Sequence, residues 1–410
     1  MAHVTVGHTI GPTLRISPQV RDFMVFTIWS TVTFVQFRGD ELLLYPLALY
    51  YAYSIWRDQT KIVPLLARAW VVLLFPTWCL ISLLWAVEPV DAFKQALYLF
   101  LTLMICFQVA ATLSARQIMH AICIAASVIA FVHLFAVASG FGRGDLGIFP
   151  SKNTMGKTMV ILWVVTFAVF LDPGTRWLFR LSSLGMASIA AWLAGASNSA
   201  TAVLLVLASA LLLIAGAVIL RGGLLRASRL AILFLSLGIV LIVASAILPY
   251  QQVELVDAIL SHFNKDSTLT GRTVLWHYAE NQIREHPLLG VGAGGFWRYH
   301  ESPLVQRIHF EFYKDPWDTF NFHNSYYEIA VHQGLIGLGL MILALSWGIF
   351  MIGRWAITEG SMPAIYIFSH MMIVLARTMT ESDFLKPFVL FHVIFWIGAI
   401  MAIRRRITPE

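Results

Sequence analysis

Residues 118–139 read IMHAICIAASVIAFVHLFAVAS, an unbroken apolar stretch with no acidic residue, lysine, arginine, proline or glycine. A helix needs roughly 20 apolar residues to cross a bilayer. A strand of a membrane barrel would instead alternate polar and apolar residues over about ten positions. This stretch does not alternate, so it reads as a membrane-spanning helix. Working outward, similar runs fall near 23–37, 41–56, 65–87, 93–113, 155–171, 177–196, 199–220, 229–249, 325–352, 363–380 and 387–403. The whole chain follows suit: 59% of its 410 residues are apolar and 12% are charged. Soluble domains carry about 45–50% and about 25%. The balance excludes a soluble enzyme, a disordered chain and a nucleic-acid-binding domain. The net charge of +6 does not alter this, because the basic residues are scattered between apolar runs. The expected fold is all-α: a single integral membrane domain over residues 1–410, with about twelve transmembrane helices.

Charge placement predicts the orientation. With the N-terminus cytoplasmic, Arg15, Arg21, Arg57, Lys61, Arg116, Arg176, Arg180, Arg221, Arg226, Arg229, Arg354 and residues 404–406 fall on the cytoplasmic side. The short outer loops hold only Arg38, Arg143, Lys152 and Lys386. By the positive-inside rule both termini are cytoplasmic, which requires an even number of spans. No cleavable signal is expected, since residues 1–22 are polar and contain Pro12 and Pro18. Cys79, Cys106 and Cys123 lie inside apolar runs and read as packed thiols.

One connection is long. Residues 250–323 form an outer segment between the ninth and tenth spans, and long loops in compact folds are usually functional. Within it, Val274, Leu275, Tyr278, Ala279 and Ile283 recur at helical spacing, with Trp276 beside them, and Pro287 follows. This predicts an amphipathic helix over 272–285, lying at the outer membrane surface.

The outer face gathers polar residues: 142–145 with 149–153, 197–201, 270–272 with the glycine-rich 287–296, and 323–328 running into Gly334. A weaker group is Arg377, Glu381, Ser382 and Asp383. The glycine-rich stretch is no nucleotide site, because no strand precedes it and no acidic residue follows about 20 positions on. His133, His370 and His392, isolated in spans, read as hydrogen-bonded packing residues. No metal-ligand spacing and no ATP motif occurs, so no cofactor and no metal is expected. Arginine offers a planar fork for phosphate oxygens, and a histidine, with an unperturbed pKa near about 6.5, can take a proton at neutral pH. Outer-face cations with a loop histidine suit a phosphorylated lipid.

In order, "TGRTVLW", "HPLLGVGAGGF" and "HNSYYEIAVHQGLIG" resemble the bacterial O-antigen ligase/polymerase superfamily of membrane glycosyltransferases. "SLLWAVEPVDAFKQAL" (82–97) and "GIFPSKNTMG" (147–156) are similar to further segments of it. The resemblance implies metal-independent, inverting transfer of sugar chains at the periplasmic face of the bacterial inner membrane. It implies an undecaprenyl-pyrophosphate-linked oligosaccharide as donor. It gives Arg272 and His323 the catalytic positions, Arg272 on donor phosphate and His323 as base near the acceptor. Arg143, Lys152, Asn153, Asn324, Tyr327, Arg377 and Glu381 are the candidate substrate-binding residues, and Glu328, about one turn beyond His323, is expected to set its tautomer. Ligases of the family commonly carry an arginine in the segment matching 197–201, where this chain has Asn198 and Ala200. Lys94 stands where Arg is often found. Together with "TESDFLKP" (380–387), the first departure looks more like the exopolysaccharide polymerase branch.

The expected function is therefore polymerisation of lipid-linked repeat units at the periplasmic face. The expected partners are lipid-linked donor and acceptor, membrane lipid, a flippase and a chain-length regulator, and no nucleic acid. An O-antigen ligase acting on lipid A core is the alternative. A lipid-linked sugar transporter would instead place its charges at mid-membrane.

Overall fold

A computed structural model of the chain describes residues 17–35, 37, 39–220, 271–384 and 386–407. The expected ninth span and the first part of the long segment, 250–270, lie outside the described residues. Fourteen α-helices and short 3-10 and π turns make up the ordered elements, with no strand among the described residues. In chain order they are α1 (Pro18–Thr33), α2 (Glu41–Arg57), α3 (Gln59–Arg68), α4 (Leu74–Ile81), α5 (Pro89–Thr112), α6 (Ala115–Ala138) and α7 (Lys152–Leu171). Then come α8 (Trp177–Ala196), α9 (Ala200–Ala215), α10 (Arg272–Glu285), α11 (Pro303–Glu311), α12 (Ser325–Glu359), α13 (Met362–Thr378) and α14 (Leu390–Ile407).

Local chemistry sets the helix starts. Ser114 and Gln117 form a reciprocal capping box at the start of α6, and the Ser151 side chain accepts from Thr154 N–H at the start of α7. Asn324 caps α12 by accepting from the N–H groups of Tyr326 and Tyr327. The helix expected over 272–285 is α10. Its buried face is Leu275, Trp276 and Ala279, packed in a small aromatic core with Phe296, Val305, Ile308 and Phe322, whereas Val274 points out. The helix is thus partly covered by its own segment.

Six helices among the described residues are long and apolar enough to cross a membrane: α5, α6, α7, α8, α9 extended to Leu220, and α12; a bent pair makes a seventh. The twelve spans expected from hydropathy are not reached by this criterion. The helices α1, α2 and α13, of 16, 17 and 17 residues, fall short of it. The run expected as one span over 65–87 is broken: α3 and the Trp70–Leu84 segment meet at 85°. Pro76 sits in the first turn of α4, where its missing N–H costs no helical bond. Large apolar side chains such as Leu42, Leu49, Phe135, Leu178 and Leu211 stand exposed on the outer faces of α2, α6, α8 and α9. A patch this extensive fits a lipid-facing surface. All three cysteines are buried, as expected.

Contacts define two ends of the bundle. At one, Arg57 pairs with Asp22 and Asp58, Arg116 with Asp172, Arg405 with Glu359, and Arg404 caps the carbonyls of Ala110 and Leu113. The starts of α7, α9, α10 and α12 gather at the other. There α12, expected as one continuous run, is interrupted at Gly334, whose φ of 66° and ψ of −177° are non-helical. The displaced N–H groups of Leu335 and Ile336 donate instead to Pro287 and Leu288 carbonyls, at 2.8 and 3.3 Å. A Cβ at Gly334 would lie 2.1 Å from the Leu288 oxygen, so only glycine fits. The glycine-rich segment serves this close backbone approach. Trp78 and Trp85 complete the seam, their indole N–H groups donating to Gln333 and Leu289 carbonyls.

Candidate active site

Gly271 precedes α10 with φ +84°, and a Cβ there would lie 2.9 Å from the Phe312 ring. Glycine at this point lets Arg272 begin the helix against the loop. The Arg272 guanidinium is 3.8 Å from Glu381 Oε1. On the other Glu381 oxygen, Oε2, sits His323 Nδ1 at 3.6 Å. His323 has φ 50°, a conformation uncommon for a side-chain-bearing residue. It is held there by its own N–H donating to Asn321 Oδ1 at 2.8 Å and by the Asn324 cap that follows. Trp276 Nε1 donates to the Phe322 carbonyl at 3.0 Å, tying α10 to the residue just before His323. The Ser325 hydroxyl donates to the Glu381 carbonyl at 2.6 Å, fixing the α13–α14 connection against the top of α12.

The next residues of that connection carry a second carboxylate. One oxygen of Asp383 receives Arg377 at 3.1 Å and Lys157 at 3.2 Å. Lys157, Arg272, Arg377 and Glu381 line one cleft with Asn153, Ser199 and Thr201. Three basic side chains thus face two carboxylates. Burial alone would raise the Glu381 carboxyl, but the neighbouring His323 ring and the Arg377 guanidinium outweigh it and hold it at about 2. Burial likewise opposes ionisation of Asp383, yet Lys157 and Arg377 keep its carboxyl well below the usual carboxylate range. Burial pulls the Arg272 guanidinium below its ordinary value, with Glu381 opposing.

Of the residues singled out in the sequence, Arg272, His323, Arg377, Glu381 and Asn153 come together here. Four others serve elsewhere. Arg143 donates to the Pro150 carbonyl in its own exposed loop, and Lys152 opens α7 exposed to the surroundings. Tyr327 bonds Glu280 and stacks on Trp276. The Asn324 amide is occupied by the α12 cap and the Met379 carbonyl. Glu328 does not set the His323 tautomer: its oxygens accept from Trp297 Nε1 and from Phe322 N–H, both at 2.8 Å. Glu381 is the carboxylate beside His323. His370 is hydrogen-bonded to the Phe391 carbonyl as expected, whereas neither ring nitrogen of His392, nor Nδ1 of His133, finds a partner among the described residues. The sequence reading missed Lys157 and gave Asp383 no role. A lysine inside the apolar run 155–171 was the available signal, since a charge in a span is functional by default.

Residues 184–342 match the O-Antigen ligase family. The matched stretch includes Arg272 and His323, while Lys157, Arg377 and Glu381 line the cleft from outside that stretch. Over 368 residues the chain is 27% identical to the exopolysaccharide production protein ExoQ of Rhizobium meliloti (strain 1021), covering 86% of this chain and 83% of that protein. It is 23% identical over 286 residues to a putative polysaccharide ligase of Rickettsia felis, covering 66% of this chain and 65% of that protein.

Proposed function

We propose that the protein is a membrane glycosyltransferase of polysaccharide production that polymerises repeat units carried on undecaprenyl pyrophosphate. The observation that carries this reading is the sharing of Glu381 by Arg272 and His323 beside a cleft with surplus positive charge. With Nδ1 turned to Glu381, the His323 ring presents Nε2 to an acceptor, and the ring is 26% exposed. In the transfer, an acceptor sugar hydroxyl attacks the anomeric carbon of the donor. The new carbon–oxygen bond forms as the bond to the phosphate oxygen breaks. The hydroxyl proton passes to His323 Nε2, and undecaprenyl pyrophosphate leaves with the bonding electron pair. Attack opposite the leaving group inverts the anomeric centre. Arg272 neutralises the charge growing on the pyrophosphate, at the start of a helix whose N-terminal N–H groups favour an anion.

The polymerase reading is supported by the relative named for exopolysaccharide production and by Asn198 and Ala200 where family ligases commonly carry arginine. The cleft faces the periplasm and both termini the cytoplasm in this reading, since the basic residues of the cytoplasmic assignment cluster at the opposite end of the bundle. Deleting the protein tests it. Single lipid-linked repeat units are expected to accumulate; accumulation of full-length lipid-linked chains would instead establish a ligase, and an unchanged lipid-linked pool would refute both.

A further inference from the structure

Asp383 places two cations on a single carboxylate oxygen, Lys157 from the second turn of α7 and Arg377 from the last turn of α13. One carboxylate cannot neutralise both. The Arg377 side chain is only 9% exposed, and its Nε makes no hydrogen bond among the described residues although it is buried. Burying unbalanced charge is costly unless an opposite charge arrives. Both cations line the cleft that Arg272 also lines, and its rim adds the side chains of Asn153, Ser199 and Thr201. Arg272 thus stands on Glu381, and the Lys157–Arg377 pair stands on Asp383.

We propose that Lys157 and Arg377, held by Asp383, form a second phosphate-binding position, so that the cleft grips two linked phosphates and selects a lipid diphosphate over a lipid monophosphate. This rests on the glycosyl-transfer reading. Arg272 binds one phosphate and the Lys157–Arg377 pair the other. A monophosphate satisfies only one of the two positions. The competing role for Lys157 is merely to neutralise Asp383, and the two roles separate experimentally.

The test uses the full-length protein in lipid nanodiscs, with equilibrium binding of undecaprenyl pyrophosphate and undecaprenyl phosphate and with inorganic pyrophosphate as competitor. The wild type is expected to prefer the diphosphate lipid by about tenfold or more, the size of one charge-assisted contact. Inorganic pyrophosphate should displace it. Lys157→Gln should bring the preference near unity while leaving monophosphate binding in place, and Lys157→Arg should restore most of it. A second variant, Lys157→Met, removes the ammonium while Asp383 stays paired with Arg377. It should melt close to the wild type and still lack the preference. An unchanged preference in Lys157→Gln or in Lys157→Met, or failure of inorganic pyrophosphate to compete, would overturn the proposal. If the wild type binds neither lipid, the glycosyl-transfer reading falls and this inference with it. If it binds the diphosphate lipid and the Lys157 variants keep the preference, only this inference falls.

Discussion

Where α2 meets α3, Arg57 and Lys61 face Asp22 and Asp58, two cations to two carboxylates. Across the bundle, Lys157, Arg272 and Arg377 face only Glu381 and Asp383. In the first cluster each cation has a carboxylate within reach, Tyr50 donates to Asp22, and Gln108 reaches Asp58. The second leaves positive charge over and keeps a histidine ring partly exposed. The difference teaches how to separate architecture from chemistry in a chain this poor in charge. A balanced cluster at helix ends holds helices together. A cluster with a surplus is incomplete until an ion of the opposite sign enters.

The comparison breaks most visibly at His323. His323→Gln keeps a hydrogen-bonding side chain but cannot take the proton. Transfer should fall by about 10²–10⁴-fold, with donor binding retained. Near-normal turnover would reduce His323 to a positioning residue. The balanced end should respond in the opposite manner. Arg57→Gln leaves Asp22 and Asp58 largely buried with one cation fewer, and should cost about 3 kcal/mol of stability. Activity per folded molecule should be unchanged, as read by a denaturation curve beside a transfer assay. If the variant loses activity without losing stability, the division between the two ends is wrong.

Arg272 sharpens the same contrast. Arg272→Lys keeps charge but loses the planar fork, so both it and Arg272→Ala should lose roughly 10–100-fold in transfer. Wild-type activity in Arg272→Ala at equal abundance would remove it from the site. Acid gives a smaller effect. Glu381 is depressed from an ordinary value near 4.5 to about 2, so its contribution to stability is complete above the ordinary value and is lost as pH falls through that window. The melting temperature should decline as pH drops from about 4.5 towards 2, less steeply in Glu381→Gln. Asp58 and Asp172 at the balanced end are also depressed, against the cost of burial, by hydrogen bonds from Lys61 and Arg57 and from Arg116. The difference between variant and wild type is therefore the quantity to read. The smallest effect is none at all: with cations of the chain neutralising the leaving group, purified activity should survive EDTA, and loss restored by magnesium would overturn that assignment.

Local pattern made much of this legible. Apolar length gave the membrane class and most helix positions, and helical spacing followed by Pro287 placed α10 residue for residue. The Gly-Arg and His-Asn motifs singled out Arg272 and His323, which the structure brings onto one carboxylate. What the sequence hid was long-range. Nothing near His323 announces that Glu381, arriving on the α13–α14 connection, is its carboxylate, and Glu328 was the nearer but wrong choice. The break in α12 was equally hidden, because a lone glycine in an apolar run is compatible with a continuous helix, and only the approach of the Pro287–Leu288 backbone explains the interruption.

That interruption has a consequence for biogenesis. A ribosome delivers the chain from its N-terminus, and the carbonyl of Gln333 finds its indole donor on Trp78, 255 residues upstream. Trp85 likewise waits for Leu289, 204 residues later. Broken backbone at membrane depth is tolerated only where protein satisfies it. The segment around Gly334 therefore cannot reach its final form by insertion alone. It must be received by helices already in the bilayer and by the loop made just before it, so the residues that place His323 are assembled among the last steps of synthesis.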